Sequence, residues 1–255
     1  MGILVLAVAI LPALGIGGFQ LLRAEAPGPD VERLAPRIAH TAQVFWAIYA
    51  GLTAIEVVLL LLVGMDLFAA VNHAFATLAT CGFSTRNASI AAFDSPYVEW
   101  VVAAFMILSG VNFALYYRAL TGQFRRIRDD SELKTYTGYL LISVGVVLVA
   151  LLAAKRYSGF GESLRYATFQ VATLTTSTGF ATADYTLWPG LARGILLLAL
   201  LIGGCVGSTS GGVKMLHVTV LGKIVARQLR HLSHPRSVVT VRANKTPLPH
   251  RTESA

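Results

Sequence analysis

Six pairs of identical residues stand 97 positions apart: Gly64 and Gly161, Leu67 and Leu164, Ala70 and Ala167, Gly82 and Gly179, Phe83 and Phe180, Thr85 and Thr182. The segments around them recur in one order. An apolar run long enough to cross a bilayer (38–63, then 135–154) leads to a stretch too short to cross (67–79, then 162–175). A Gly-Phe loop follows ("TCGFST", 80–85; "STGFAT", 177–182), and then a second apolar run, from 96 to about 120 and from 189 onward. A crossing helix takes ~20 residues, and a fixed offset through a series of elements marks an internal repeat. The chain reads as an all-α membrane protein of tandem span–short helix–loop–span units.

Composition supports a polytopic membrane chain. Of 255 residues 55% are hydrophobic and 13% charged, where soluble domains carry about 25% charge. The net charge of +8 does not call for nucleic acid. Of the 21 Lys and Arg, three lie in 23–37, five in 118–134 and seven in 223–251. The spans place all three segments on one side, which is the positive-inside bias of cytoplasmic loops. The N-terminal "MGILVLAVAILPALGIGG" lacks the basic flank and cleavage site of a signal peptide. Cys81 and Cys205 are the two cysteines, both in apolar surroundings, which argues against a disulfide framework or a zinc site.

A short helix that enters the membrane and turns back carries backbone at membrane depth. That backbone is tolerated only inside protein or along a water-filled path, where its carbonyls can replace the hydration shell of a cation. Gly82 and Gly179 supply positive φ at that point, and Phe83 and Phe180 are expected to pack outward and hold the loops. An ordinary tight turn is the alternative reading of either motif alone. Two copies at one place in a repeat favour the ion-path reading.

The segment from Pro189 to Leu232 would make a helix ~66 Å long, far beyond a ~30 Å hydrocarbon core. Glycines and hydroxyls interrupt it at "GGCVGSTSGG" (203–212), with Lys214 just past the break. Gly207 to Gly212 mimics a phosphate loop, but Val213 and Met215 break the required G-K-[ST] pattern. His231 and His234 lack acidic or thiol companions and read as a solvated surface. Glu56 and Asn112 read as structural hydrogen-bonders to neighbouring helices. No Ser/His/Asp, His-Glu-x-x-His or paired-acid set occurs in the spans, which argues against an enzyme. A non-conducting scaffold or receptor with structural loops is the rival reading.

The stretches "ILPALGIGGFQLLRAEAPGP" (10–29), "ATCGFSTRNASI" (79–90), "FDSP" (93–96), "TTSTGFATADYTLWP" (175–189) and "IGGCVGSTSGGVKMLHV" (202–218) resemble the Trk/Ktr/HKT superfamily of potassium transporters, most closely its TrkH-type bacterial subunits. The resemblance implies a pseudo-fourfold, potassium-channel-like pore of four span–pore-helix–filter-loop–span repeats. Residues 38–120 and 135–232 then match the second and third repeats, 1–22 the last helix of the first, and 233–255 a basic cytoplasmic segment. Two filter loops cannot close a ring of four, so the chain is expected to be part of a longer pore.

The resemblance implies K⁺-coordinating carbonyls at Thr80, Cys81, Gly82, Ser177, Thr178 and Gly179. It makes the interruption at 203–214 an intramembrane gate, with Gly207, Ser208, Thr209, Gly211, Gly212 and Lys214 as its residues. It implies a multi-pass chain of the bacterial inner membrane among lipid, a homodimer, a cytosolic nucleotide-binding regulatory subunit, K⁺ as transported substrate and no cofactor. A lysine at mid-bilayer costs ~2.5–3.5 kcal/mol, so Lys214 is expected to face water or a partner. Snorkelling to the cytoplasmic interface is its other reading. At about 8 Å and an effective dielectric of ~20, its charge would repel K⁺ by ~2 kcal/mol.

Overall fold

The computed structural model describes residues 38–233, 242–243 and 246–247. The expectations for 1–22 and for His234, and most of the basic segment 233–255, lie outside the described residues, as does the side chain of His231. Nine helices form the described bundle: α1 (Ile38–Leu62), α2 (Leu67–Leu78), α3 (Pro96–Ser109), α4 (Phe113–Leu120), α5 (Phe124–Arg128), α6 (Ser131–Ala153), α7 (Phe160–Thr175), α8 (Gly190–Leu201) and α9 (Met215–Ser233). Short 3₁₀ turns cover Ser89–Phe93 and Tyr185–Leu187. A two-residue antiparallel pair, β1 (Arg242–Ala243) with β2 (Thr246–Pro247), is the strand content of the described residues.

Two stretches, Gln43–Leu62 and Ser131–Ala153, are long and apolar enough to cross a membrane as single helices. The short helices start cleanly. Asp66 caps α2 by accepting from the Phe68 N–H at 3.1 Å, and Pro96 occupies the first turn of α3, where its missing N–H costs nothing. Packing runs α1 on α2, α6 on α7 and α3 on α7, so α3 of the first repeat seats the short helix of the second. Small residues at these contacts (Ala69, Ala70, Ala103, Ala167, Ala172) are buried. They let backbones approach where lipid removes the usual apolar driving force. Leu62, Phe68, Leu141 and Leu197 point outward, as a membrane bundle permits.

Three expectations need correction. The apolar run from 96 to 120 is not one continuous helix: α3 and α4 meet at 95°. Asn112 is the reason, since it caps α4 with its side chain on the Ala114 N–H at 2.9 Å rather than bonding across to a neighbouring helix. The offset of 97 fails ahead of the short helices. Gly64 is a turn residue at φ +90°, whereas Gly161 lies inside α7, because α7, with 16 residues against 12 in α2, begins about one turn earlier relative to its loop. Glu56 is wholly buried, and among the described residues neither of its oxygens has a hydrogen-bond partner. The neighbouring Thr77 hydroxyl donates to the His73 carbonyl instead, at 2.7 Å.

Glu99 of α3 and Arg165 of α7 form a buried ion pair at 3.2 Å between the repeats. Removing one partner from such a pair strands a charge, at about 3–5 kcal/mol. Arg165→Met should therefore lower the thermal unfolding midpoint in detergent far more than Glu99→Gln with Arg165→Met together. Equal loss in the single and double variants would show that packing, not charge, carries the contact.

Candidate functional site: two Gly-Phe loops beside a folded excursion

The two Gly-Phe loops leave their helices identically. The N–H of Cys81 bonds the Ala76 carbonyl at 3.0 Å and that of Gly82 the same oxygen at 3.5 Å; the Thr178 and Gly179 N–H groups bond the Thr173 carbonyl at 2.9 and 3.4 Å. Positive φ recurs at the matched positions: Thr80 (52°) with Ser177 (57°), Gly82 (66°) with Gly179 (91°). A β-branched or hydroxyl residue held there costs of order 1–3 kcal/mol, the kind of strain that collects at functional sites. Among the described residues the carbonyls of 80–82 and 177–179 accept no hydrogen bond. Their neighbours are satisfied: the Phe180 carbonyl accepts from the Thr173 hydroxyl at 3.0 Å, and that of Ala181 accepts the Ala91 N–H at 3.2 Å. Both short helices end at these loops, and a helix C-terminus carries the partial negative charge that favours a cation.

The loops abut. A Cβ on Gly82 would lie 2.0 Å from the Thr178 carbonyl oxygen, while one on Gly179 would meet nothing within 4 Å. Their phenylalanines differ, against expectation. Phe180 is buried, with its ring 5.8 Å from that of His73 in the preceding repeat, but Phe83 is 77% exposed. A phenylalanine of this loop packs on the short helix of the repeat before it, and among the described residues Phe83 has no such helix beside it.

Residues 202–214 fold into a closed excursion. Its neck is tied by Gly203 N–H to the Val213 carbonyl (2.9 Å), Val213 N–H to that of Leu201 (3.1 Å) and Met215 N–H to that of Gly204 (3.0 Å). Only glycine fits at 203, where a Cβ would lie 1.9 Å from the Gly211 carbonyl oxygen. Inside, the Gly204 N–H donates to the Ser210 hydroxyl at 2.9 Å, and the Ser208 hydroxyl donates to the Cys205 carbonyl at 2.6 Å.

The bend between α3 and α4 is the socket for this excursion. Ending a helix orphans its last four carbonyls, and each finds a donor here. Ile107 accepts from the Tyr136 hydroxyl at 3.0 Å and Leu108 from that of Tyr116 at 2.6 Å. Ser109 accepts from the Thr209 N–H (3.2 Å) and Gly110 from the Cys205 N–H (2.9 Å). The Phe113 N–H returns a bond to the Gly207 carbonyl at 3.1 Å. The tip reaches the filter loops: the Thr80 hydroxyl donates to the Thr209 carbonyl at 2.9 Å, and a Cβ on Gly211 would lie 3.2 Å from the Ser177 hydroxyl. Thr209 and Gly211 thus sit against the first residue of each filter loop, with Ser208 and Gly212 behind them. Lys214 is half-buried, and its ammonium donates to the Ser210 carbonyl. It meets a partner inside the loop.

A family model described as a cation transport protein, TrkH, matches residues 1–252. The chain belongs to the TrkH family. The Trk system potassium uptake protein TrkH of Escherichia coli (strain K12) is 41% identical over 253 residues, which are 98% of this chain and 52% of that protein. The potassium uptake protein TrkI of Halomonas elongata is 34% identical over 249 residues, 97% of this chain and 50% of its own. The crystal structure of the potassium transporter TrkH from Vibrio parahaemolyticus matches with a TM-score of 0.83 at 36% identity, covering 99% of this chain and 51% of that one. The chain spans about half the length of the curated relatives it matches.

Two residues of this TrkH-family chain escaped the sequence reading. His73, wholly buried in α2, donates from Nδ1 to the Ala69 carbonyl at 2.7 Å, because a carbonyl can only accept. Its Nε2 lies 2.9 Å from the Ser84 hydroxyl. With Phe180 against its ring, it ties both filter loops to one helix. Glu132, in the first turn of α6, accepts from the Val206 N–H at 2.7 Å and from the Leu216 N–H at 3.1 Å. A histidine on an otherwise apolar short helix and an acid at the mouth of a span were the available signals.

Proposed function

We propose that the chain supplies half of a K⁺ translocation pore, with 80–82 and 177–179 as two of its filter loops and 203–214 as the gate beneath them. One observation carries this reading. Among the described residues six carbonyls stand without hydrogen bonds in two matched loops, each left-handed at its first and third residues, beside a folded loop that contacts both. Unbonded carbonyls at membrane depth cost several kcal/mol, and a dehydrating cation repays that cost. The likeness to potassium uptake proteins supports K⁺ as the cation. A structural scaffold would have no use for such oxygens in both repeats.

The reading extends to a multi-pass protein of the bacterial inner membrane, working as a homodimer with a cytosolic nucleotide-binding subunit. The one-sided Lys and Arg segments support the orientation, and the family resemblance supports the assembly. Uptake of Rb⁺ by the assembled transporter, in cells stripped of their own potassium uptake, tests the function. Uptake is expected to follow expression of the chain and to disappear with it; uptake indifferent to the chain would sink the proposal.

The cytosolic partner has a defined landing surface. Arg125, Arg126 and Arg128 lie in α5, and none of its five residues is buried. Reversing all three charges should weaken co-purification of the regulatory subunit by about tenfold or more, since each rim charge contributes up to ~1 kcal/mol. Undiminished co-purification, with normal membrane insertion, would place the docking surface elsewhere.

A further inference from the structure

We propose that Glu132 is the latch of the gate: one carboxylate oxygen holds both arms of the 203–214 excursion and ties them to the cytoplasmic loop that precedes α6. The inference rests on the gate reading given above.

The geometry is specific. Val206 lies on the arm that leaves α8, and Leu216 is the second residue of α9. Both N–H groups donate to the same Oε1, at 2.7 and 3.1 Å. Among the described residues neither N–H makes another hydrogen bond. The Leu216 N–H is one of the orphan donors of a helix start, and a carboxylate there also meets the positive end of the helix dipole. The Val206 N–H belongs to an irregular segment. Charge-assisted bonds of this kind are shorter and about twice as strong as neutral ones. Glu132 is 6% exposed, so water does not substitute for it. Lys214, bonded to the Ser210 carbonyl, adds a countercharge from within the loop.

The other end of the latch faces the cytoplasm. Asp130, two residues earlier, caps α6 through the Leu133 N–H at 2.9 Å, and α5 with its three arginines ends at Arg128. A pull on α5 reaches the first turn of α6 through two residues of chain. Glu132, in that turn, hydrogen-bonds the excursion at Val206. Displacement of the basic loop by a cytosolic partner therefore moves Glu132, and moving Glu132 frees both arms together.

Cys205, adjacent to Val206 and wholly buried, reports the state of the latch. The test measures its alkylation by a membrane-permeant maleimide in vesicles carrying the full chain, mapped by peptide mass, with exposed Cys81 as internal standard. Glu132→Ala removes both bonds and should speed Cys205 labelling by about tenfold or more. Glu132→Gln keeps an acceptor oxygen with two lone pairs in place but loses the charge assistance, and should speed labelling clearly less than Glu132→Ala. Rb⁺ flux through the assembled transporter should rise in Glu132→Ala but not when that change is added to a deletion of residues 208–210, since the latch then has no loop to hold. Unchanged labelling in Glu132→Ala overturns the latch, and so does equal acceleration in the Ala and Gln variants, which would mark a general loss of packing. Faster labelling with unchanged flux leaves the latch standing and removes the gate.

Discussion

Deleting residues 208–210 from the gate loop is expected to raise K⁺ flux through the assembled transporter by well over tenfold. The deletion removes the Thr209 carbonyl on which the Thr80 hydroxyl rests and the Thr209 contacts to the Ser109 carbonyl, while the neck between 201–204 and 213–215 keeps its own bonds. The segment lost carries the contact to the first loop, while Gly211, beside Ser177 of the second, loses its support. Lys214→Ala should also raise flux, by less. A repulsion of ~2 kcal/mol would correspond to roughly thirtyfold at most. Its ammonium is turned onto the Ser210 carbonyl near the Glu132 carboxylate, so a few-fold change is expected. Flux that rises with Lys214→Ala but not with the deletion would make the barrier electrostatic and the loop a passive kink. If neither changes flux at normal expression, the break serves only to fit an overlong segment into the membrane.

The filter glycines should respond unequally. Gly82→Ser meets two obstacles: a left-handed backbone at φ +66° and a Cβ position 2.0 Å from the Thr178 carbonyl oxygen. A left-handed conformation alone costs an L-residue about 1–2 kcal/mol, equivalent to roughly tenfold in a selectivity ratio. The clash then displaces the second filter loop as well as the first. Gly179→Ser faces the backbone term at φ +91° but has open space for its side chain. K⁺ over Na⁺ discrimination should fall in both variants and further in Gly82→Ser. Competition of Na⁺ with Rb⁺ uptake measures it, and unchanged discrimination in both variants would take these loops out of the ion path.

Much of this arrangement was legible in the residues because it is local. The Gly-Phe pairs at one offset specify two equivalent loops, and the matched φ values and Ala76/Thr173 hydrogen bonds follow from them. The interruption between Gly203 and Gly212 announced a broken helix, since no membrane helix of that length tolerates so many glycines. The unread part depends on residues far apart in sequence. Asn112 looked like a polar residue inside a span. Its role as the cap of a 95° bend becomes visible only when the gate loop arrives to satisfy Ser109 and Gly110. Phe83 and Phe180 are identical in sequence, yet their burial differs because each depends on the helix of the preceding repeat. Glu132 sat three residues ahead of where the span was expected to begin, so its carboxylate passed as loop charge until the two N–H groups it serves were in place.

The central claim is that a cation occupies the space faced by the unbonded carbonyls of 80–82 and 177–179. Anomalous scattering from Tl⁺ or Rb⁺ bound to the assembled transporter tests it most directly. The account predicts cation density in coordination contact with carbonyls of both loops, on the far side of Thr209 and Gly211 from the cytoplasm. Ordered filter loops with no cation between them, or a cation held by side chains elsewhere, would contradict it.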